Sequence, residues 1–399
     1  MEMKVETKKL KKQVGALKGF AAFLLLLFLA GALLLYPAQI KAGVADSLLY
    51  CLQVLVPTLF PFIALNSYAV HSAASVFIGR LFGPVTRYLF RLPEAAASTL
   101  ILSFIGGYPA GAAGISALLR QGRISQRQAG RMLLFCVNPG IAFVVSFVGG
   151  GLLRNGRIGL LLLISVTVSG LLLGILTAFT DKIPARDHMS DLPENTDTAQ
   201  ALIASAYDAS KAMVKMCGAI LLFAAVYIFL KEIGLFRLLA IGLSRLFSLP
   251  YTQAAALLSM GFEIAAGVGE ASSLRAPAVL FAFGLAFSGF CVHFQVFSFF
   301  GSFPLSKGKF MLFRFLHGAL SAFVFALLQR FFPQTTQVFY STGQTVLNAG
   351  LHMPVAAGLS LLLMCAAFLL LSGKFGLRTA RRRVILDTAP KRHTKPGGR

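Results

Sequence analysis

Charged residues are scarce in this sequence of 399 residues, where they make up 13% of the chain against 57% hydrophobic residues. The mean hydropathy of +0.77 leaves too few polar side chains to cover a water-soluble globule of this length. Acidic residues are the rarest charged type, with 14 Asp and Glu against 37 Lys and Arg. The composition therefore excludes an ordinary soluble domain and predicts a protein that crosses the bilayer several times.

The formal net charge of +23 would suggest nucleic-acid binding in a soluble protein. Six of the 37 basic residues lie in 4–18 and nine lie in 374–399, next to the first and last apolar segments. Cytoplasmic orientation and anionic lipid explain basic residues at such places. We therefore expect the lipid bilayer as a partner and no nucleic acid.

Signatures of catalysis and of disulfide bonding are also missing. The five cysteines are scattered one to an apolar segment, which is typical of packed thiols. The sequence contains no Gly-x-x-x-x-Gly-Lys-Ser/Thr phosphate loop, no His-Glu-x-x-His and no Cys-x-x-Cys. We expect no enzyme activity, no catalytic residue, no metal site and no cofactor.

Apolar segments of about 20 residues, the length needed to cross a bilayer, occur eight times. They are 19–36, 44–66, 132–152, 158–179, 216–233, 276–300, 311–332 and 352–372. Two further apolar segments, 95–119 and 251–273, are interrupted by helix-breaking residues and predict re-entrant helical hairpins. The predicted fold class is an all-α polytopic membrane protein with about eight transmembrane helices and two re-entrant hairpins.

The two interrupted segments resemble each other, which indicates an internal duplication. Ser103, Ala110 and Gly111 recur 156 positions later as Ser259, Ala266 and Gly267. Each copy contains three spans, an odd number, so the second copy is predicted to be inverted in the membrane.

This repeat divides the chain into six predicted regions. They are a basic N-terminus with the first transmembrane helix (1–43), a first repeat (44–180), a polar cytosolic linker (181–200), an inverted second repeat (201–332), an outer loop with the last transmembrane helix (333–373) and a basic cytosolic tail (374–399). The Lys and Arg distribution places both termini and loop 120–131 in the cytoplasm. A multi-pass protein of the cell membrane is expected.

The hairpin tips and the helices beside them hold the candidate substrate-binding residues. Glycine and proline cannot propagate a regular helix through the first tip, and Glu263 is an acid inside the second break. Asn138 and His293 occupy equivalent positions of the two copies. The full candidate set is Gly106, Gly107, Tyr108, Pro109, Gly111, Asn138, Glu263, Gly267, His293 and Gln295.

Each candidate also has a structural explanation. Small residues allow close helix packing, and Asn138 and His293 are equally suited to bonds between helices. Glu263 either binds a solute, ion or proton, or bonds the free backbone of the hairpin. Arg314 is expected to extend its side chain to the inner membrane face.

The stretch Gly107-Tyr-Pro-Ala-Gly-Ala112, followed by Gly122-Arg-Ile-Ser125, Arg131 and Asn138-Pro139, resembles the YlbJ-type sporulation integral membrane proteins. These belong to the nucleoside-recognition, or Gate, domain superfamily. Gly261-Phe-Glu263 with Gly267 is similar to the second Gate repeat.

The resemblance implies expression during sporulation and a part in forming the spore envelope or cortex. Together with the two predicted hairpins, it favours a transporter-like protein that moves a small solute or ion through a site between them. The alternative is a membrane scaffold that transports nothing and recruits other sporulation membrane proteins through its basic tails and loop 181–197.

Overall fold

The structure is a computed structural model that describes residues 34–72, 74–180, 198–300 and 306–333, with residue 182 and a few positions between 19 and 31. Within these ranges the regular structure is entirely helical. The predicted span 352–372 and the basic tail lie outside the described residues, as do residues 1–18, part of the span 19–36 and most of the linker.

The first half of the described chain contains eight helices. They are α1 (Pro37–Tyr50), α2 (Val56–His71), α3 (Ala74–Tyr88), α4 (Ala97–Ile105), α5 (Tyr108–Arg120), α6 (Gln126–Met132), α7 (Ala142–Leu152) and α8 (Gly156–Ala178). A π-helical turn, Cys51–Leu55, joins α1 to α2, and α7 is itself wound as a π-helix. A 3₁₀ turn, Glu94–Ala96, precedes α4.

The second half contains seven helices. They are α9 (Thr198–Glu232), α10 (Leu235–Phe247), α11 (Tyr251–Phe262), α12 (Ile264–Ser273), α13 (Ala278–Phe287), α14 (Gly289–Phe299) and α15 (Lys307–Phe331). Side chains from both halves, including Phe135 and Phe281, form one shared apolar core.

Four stretches of the described chain are long and apolar enough to cross a membrane: α8, α9, α13 with α14, and α15. They overlap the spans predicted at 158–179, 216–233, 276–300 and 311–332. A fifth, Pro37–Leu55 with Leu59–Ala69, is bent by 55°. These helices fit an integral membrane protein.

The segment 132–152 differs from the prediction of one span. Its helix ends at Met132 and resumes only near Ala142, so residues 133–140 are not helical. Asn138, Pro139 and Gly140 lie in this gap. Proline has no amide hydrogen to donate, and its ring disfavours helical geometry at the residue before it, which explains why the helix does not continue here.

Two stretches expected to be loops form short amphipathic helices. In α3, Phe77, Leu81 and Tyr88 are exposed, and so is the basic residue Arg80, while Arg87 is partly buried. The second such helix, α10, likewise exposes apolar and basic side chains. This composition is typical of helices that lie in the interface of a membrane.

Candidate functional site

The first interrupted segment folds into a helical hairpin, named hairpin 1 (α4 and α5). Its tip is Gly106 and Gly107, and Gly107 has φ +90° and ψ 176°, a conformation almost restricted to glycine. A Cβ on Gly107 would lie 3.3 Å from the amide nitrogen of Gly140, so the tip touches the non-helical segment 133–140. Pro109 occupies the first turn of α5 and is buried.

Hairpin 1 packs tightly against the same non-helical segment. A Cβ added to Gly111 would lie 1.9 Å from the carbonyl oxygen of Cys136 and 3.1 Å from the Cβ of Ser103. The first distance leaves no room for a side chain, and the second shows that the two arms face each other. Gly111 is therefore required for the approach of two backbones.

Arg314 of α15 holds the other side of segment 133–140. Its guanidinium donates hydrogen bonds to the carbonyl oxygens of Val137 and of Leu134, the latter at 2.5 Å. The residue is completely buried, so the expected extension of its side chain to the membrane face is wrong. Instead, the cation bonds carbonyl groups that the broken helix leaves without partners.

Asn138 lies beside these carbonyl groups and is also buried. Its Nδ2 donates to the carbonyl oxygen of Phe135 at 2.8 Å, whereas its Oδ1 has no hydrogen-bond partner in the structure. A Cβ on Gly170 of α8 would lie 3.2 Å from this Oδ1 and 3.3 Å from Nε2 of His317. Gly170 therefore keeps space between two polar side chains, and His317 bonds the carbonyl oxygen of Val166 at 3.0 Å.

The second interrupted segment forms hairpin 2 (α11 and α12), with Glu263 at its tip. Glu263 has an extended backbone and is buried, and its carboxylate accepts hydrogen bonds from the amides of Ala265 at 3.0 Å and Ala266 at 2.6 Å. It therefore caps the N-terminus of α12, the end at which a negative charge is favourable. A Cβ on Gly267 would lie 2.5 Å from the Cα of Met260, so the arms of this hairpin are also in close contact.

Hairpin 2 packs against a second helix break, between α13 and α14. Ser288 and Gly289 both have positive φ, 80° and 75°. A Cβ on Gly289 would lie 2.7 Å from the carbonyl oxygen of Met260 in hairpin 2. Each hairpin therefore meets one broken helix.

His293 and Gln295 make local bonds in α14. Nε2 of His293 lies 2.8 Å from the carbonyl oxygen of Phe287, and the imidazole packs against the rings of Phe287, Phe290 and Phe310. Gln295 donates to the sulfur of Cys291 at 3.3 Å. Like Asn138, His293 bonds a carbonyl at the helix break of its own half of the chain.

A hydrogen bond links the two halves. The hydroxyl of Tyr108, at the tip of hairpin 1, donates to the carbonyl oxygen of Leu285 in α13 at 2.7 Å. Tyr108 thus connects the first hairpin to the helix that breaks beside the second. Within the described residues, no group of three or more His, Cys, Asp or Glu side chains could hold a metal ion.

Several polar contacts between helices are not predictable from the sequence. Asn66 of α2 donates to the carbonyl oxygen of Ala110 in hairpin 1 at 2.6 Å. Ser67, also in α2, donates to Asp208 of α9 at 2.9 Å. Each residue is a single polar side chain in a helix, so no local pattern marks it.

Comparison of the sequence with known proteins finds a sporulation membrane protein among its relatives. The chain is 26% identical over 329 residues to the sporulation integral membrane protein YlbJ of Bacillus subtilis (strain 168), and the match covers 76% of this chain and 80% of that protein. No protein-family model matches the chain, and no solved structure matches it. The described helices and this similarity together identify an integral membrane protein similar to a sporulation protein.

Proposed function

We propose that this chain is a transporter-like integral membrane protein of sporulation, which moves a small solute or ion through a site between hairpins 1 and 2. The similarity to YlbJ supports the membrane role in sporulation. The transport role is supported by one observation above all, namely that each hairpin packs against a broken helix through backbone contacts.

Broken helices have a physical meaning in an apolar environment. Backbone N–H and C=O groups released from a helix must be bonded by protein or by water in a cavity, because lipid offers no partner. Solute sites of many transporters are built from such breaks, since the released groups can coordinate a ligand. In this chain Arg314 and Glu263 bond part of the released groups, while Oδ1 of Asn138 has no partner in the structure.

The order of elements supports the two-repeat organisation that the proposal needs. Each half runs through a long helix, an amphipathic helix, a hairpin, a broken helix and a second long helix. These are α2 to α8 in the first half and α9 to α15 in the second. The inverted orientation of the halves is part of the proposal, as is the Gate-type relationship.

The transporter and scaffold hypotheses predict that different parts of the chain are essential. A transporter needs its hairpins and tolerates loss of the basic tail, whereas a scaffold needs the tail and tolerates changes inside the hairpins. Gly107→Leu forces a side chain into a left-handed position, while Gly218→Leu places the same side chain on an open face of α9.

These variants can be compared in a spore-forming bacterium that lacks its own relative of this chain. We expect Gly107→Leu to abolish the recovery of heat-resistant spores at normal membrane abundance, while Gly218→Leu and a chain truncated before residue 374 restore it. Normal spores with Gly107→Leu and none with the truncated chain would favour the scaffold.

A further inference from the structure

Hairpin 2 is joined to α9 by a chain of four polar side chains. Nζ of Lys231 lies 3.1 Å from Oε1 of Glu270, and the Tyr227 hydroxyl bonds the other carboxylate oxygen. The same hydroxyl lies 3.1 Å from Oγ of Ser259, which donates to the carbonyl oxygen of Ala255 at 2.9 Å. The chain runs from Lys231, whose side chain is 44% exposed, to the buried Ser259.

The hydrogen-bonding hydrogens of these four side chains can be arranged in two ways. A tyrosine hydroxyl carries one hydrogen and can donate it to only one acceptor at a time. When Glu270 is ionised, the charged carboxylate is the stronger acceptor, so Tyr227 donates to Glu270 and not to Ser259. When Glu270 carries a proton, its hydroxyl can donate to Tyr227, and the tyrosine hydrogen is free to turn to Ser259.

The two arrangements hold different arms of the hairpin. The ionised state attaches α9 to α12, through the ion pair of Lys231 with Glu270 and the bond from Tyr227. The protonated state replaces the ion pair by a weaker neutral contact and attaches Tyr227 to Ser259 of α11. Protonation therefore weakens the attachment of α9 to α12 and adds an attachment to α11.

Hairpin 1 has a link of a different kind. Its bond to α2 runs from the side-chain amide of Asn66 to the backbone carbonyl of Ala110, and neither group titrates. The contact of hairpin 2 with α9 therefore contains titratable groups, whereas the bond of hairpin 1 to α2 does not.

The other charged groups to consider lie at the same end of α9 and on the elements beside α12. At the C-terminal end of α9 they are Lys231, the bonded partner, and Glu232, the next residue. Arg275 follows α12, and Arg154 follows α7, whose Leu152 carbonyl oxygen accepts a bond from Ser272 at 3.2 Å. The helix α13 has no titratable side chain, and those of α14 are Cys291 and His293, which bond within their own segment. The helix α11 contributes Tyr251 at its start, and Glu263 follows its end.

We propose that Glu270 is a proton-binding site that sets how strongly α9 is attached to each arm of hairpin 2. The proton comes from the solvent near the exposed side chain of Lys231 and binds to the Glu270 carboxylate. No other covalent bond changes. The use of this proton rests on the proposed transport function, in which it would be the coupling ion for hairpin movement.

Hydrogen–deuterium exchange of the full chain in liposomes, with no solute added, tests the site directly. Exchange is compared at about pH 4 and about pH 8, on either side of the ordinary pKa of glutamate, after correction for intrinsic exchange rates. On acidification we expect slower exchange in 255–262 and faster exchange in 268–273, each by about fivefold, the equilibrium effect of one hydrogen bond. A general destabilisation of the protein at low pH would speed exchange in both arms, so opposite changes in the two arms are not expected from it.

Two variants and one control complete the test. Glu270→Gln should lose the pH dependence, and Tyr227→Phe should lose the change in 255–262, because the hydroxyl that reaches Ser259 is gone. Glu232→Gln, which alters an exposed acid one residue from Lys231, should behave like the unaltered protein.

The absence of opposite changes in the unaltered protein, or their persistence in Glu270→Gln, would overturn the proposal. Spore recovery is a separate measurement. If the exchange pattern is observed but hairpin variants form normal spores, the proton site stands and the transport function is rejected.

Discussion

Two buried charged residues have complementary positions in this protein. Arg314 donates to carbonyl oxygens that follow the C-terminus of α6, and Glu263 accepts from amides at the N-terminus of α12. Each charge matches the sign that the helix end favours. Burying an ion is costly, and these bonds offset part of that cost because they use backbone groups that would otherwise have no partner.

The capping role of Glu263 leads to a prediction about two variants. Glu263→Ala removes both cap bonds and should lower the free energy of unfolding by about 2 kcal/mol, the upper range for loss of an N-cap. Glu263→Gln keeps one acceptor oxygen and should cost about half as much. The release of buried cysteine thiols on heating in detergent measures both.

The same variants test whether the negative charge has a role beyond the cap. If Glu263 is purely structural, the Gln variant forms spores normally at normal membrane abundance. A well-folded Gln variant without activity would instead show that the charge itself is needed for transport.

Arg314 should be more sensitive than any exposed cation on the same helix. Arg314→Met leaves the carbonyls of Leu134 and Val137 buried without a donor, at a cost of about 1 to 3 kcal/mol each. Arg314→Lys should recover part of the loss, because an ammonium can still donate. Lys309→Met, an exposed change in α15, is the control. A thermal midpoint equal to that of the control would contradict the role of Arg314.

At the scale of elements, the hairpins depend on contacts between backbones. A methyl group on Gly111 would overlap the carbonyl of Cys136, whereas one on Gly151 would come no nearer than 3.6 Å to another atom. Gly149 is not an equivalent control, because its Cβ would lie 2.4 Å from the Cα of Gly159. The run Gly149–Gly151 therefore contains both a packed glycine and tolerant ones.

We predict that Gly111→Ala lowers both the amount of folded protein and spore recovery, while Gly151→Ala leaves both within about twofold of normal, because surface changes away from packed contacts usually cost little. Membrane abundance and spore counts are measured together. Equal effects of the two substitutions would show that the contact between hairpin 1 and segment 133–140 is unimportant.

At the scale of the whole molecule, a prediction about which segments lie on each side of the membrane tests whether hairpin 1 is re-entrant. We expect both termini and loop 120–131 in the cytoplasm and residues 337 to 348 outside, because the Arg residues around hairpin 1 favour the inner side. Single cysteines replacing Arg123 and Thr345 in a cysteine-free background can be labelled by a reagent that does not cross membranes. Labelling of both from the same side would contradict a re-entrant hairpin 1.

The sequence alone determined the membrane class, the tips of the two hairpins and several helices. The length of the apolar segments identifies α8, α13 with α14, and α15, since an apolar segment of about 20 residues is long enough to cross a bilayer whichever helices pack beside it. Gly107 and Glu263 were correctly placed at helix breaks, because glycine and proline act through local backbone geometry. The number of eight spans, the re-entrant path of the hairpins and the inverted repeat stay predictions.

Only the tertiary structure decided which side chains meet. The bond of Arg314 to carbonyls about 180 residues earlier, and that of Tyr108 to Leu285, join residues far apart in sequence, and no local periodicity encodes such pairs. The same holds for Tyr227, Glu270 and Lys231, which come from two helices separated by α10 and α11. Helix formation depends on neighbours a few residues away, whereas the partner of a buried polar group depends on how whole helices pack, and this is why the sequence located the hairpins but not the bonds that hold them.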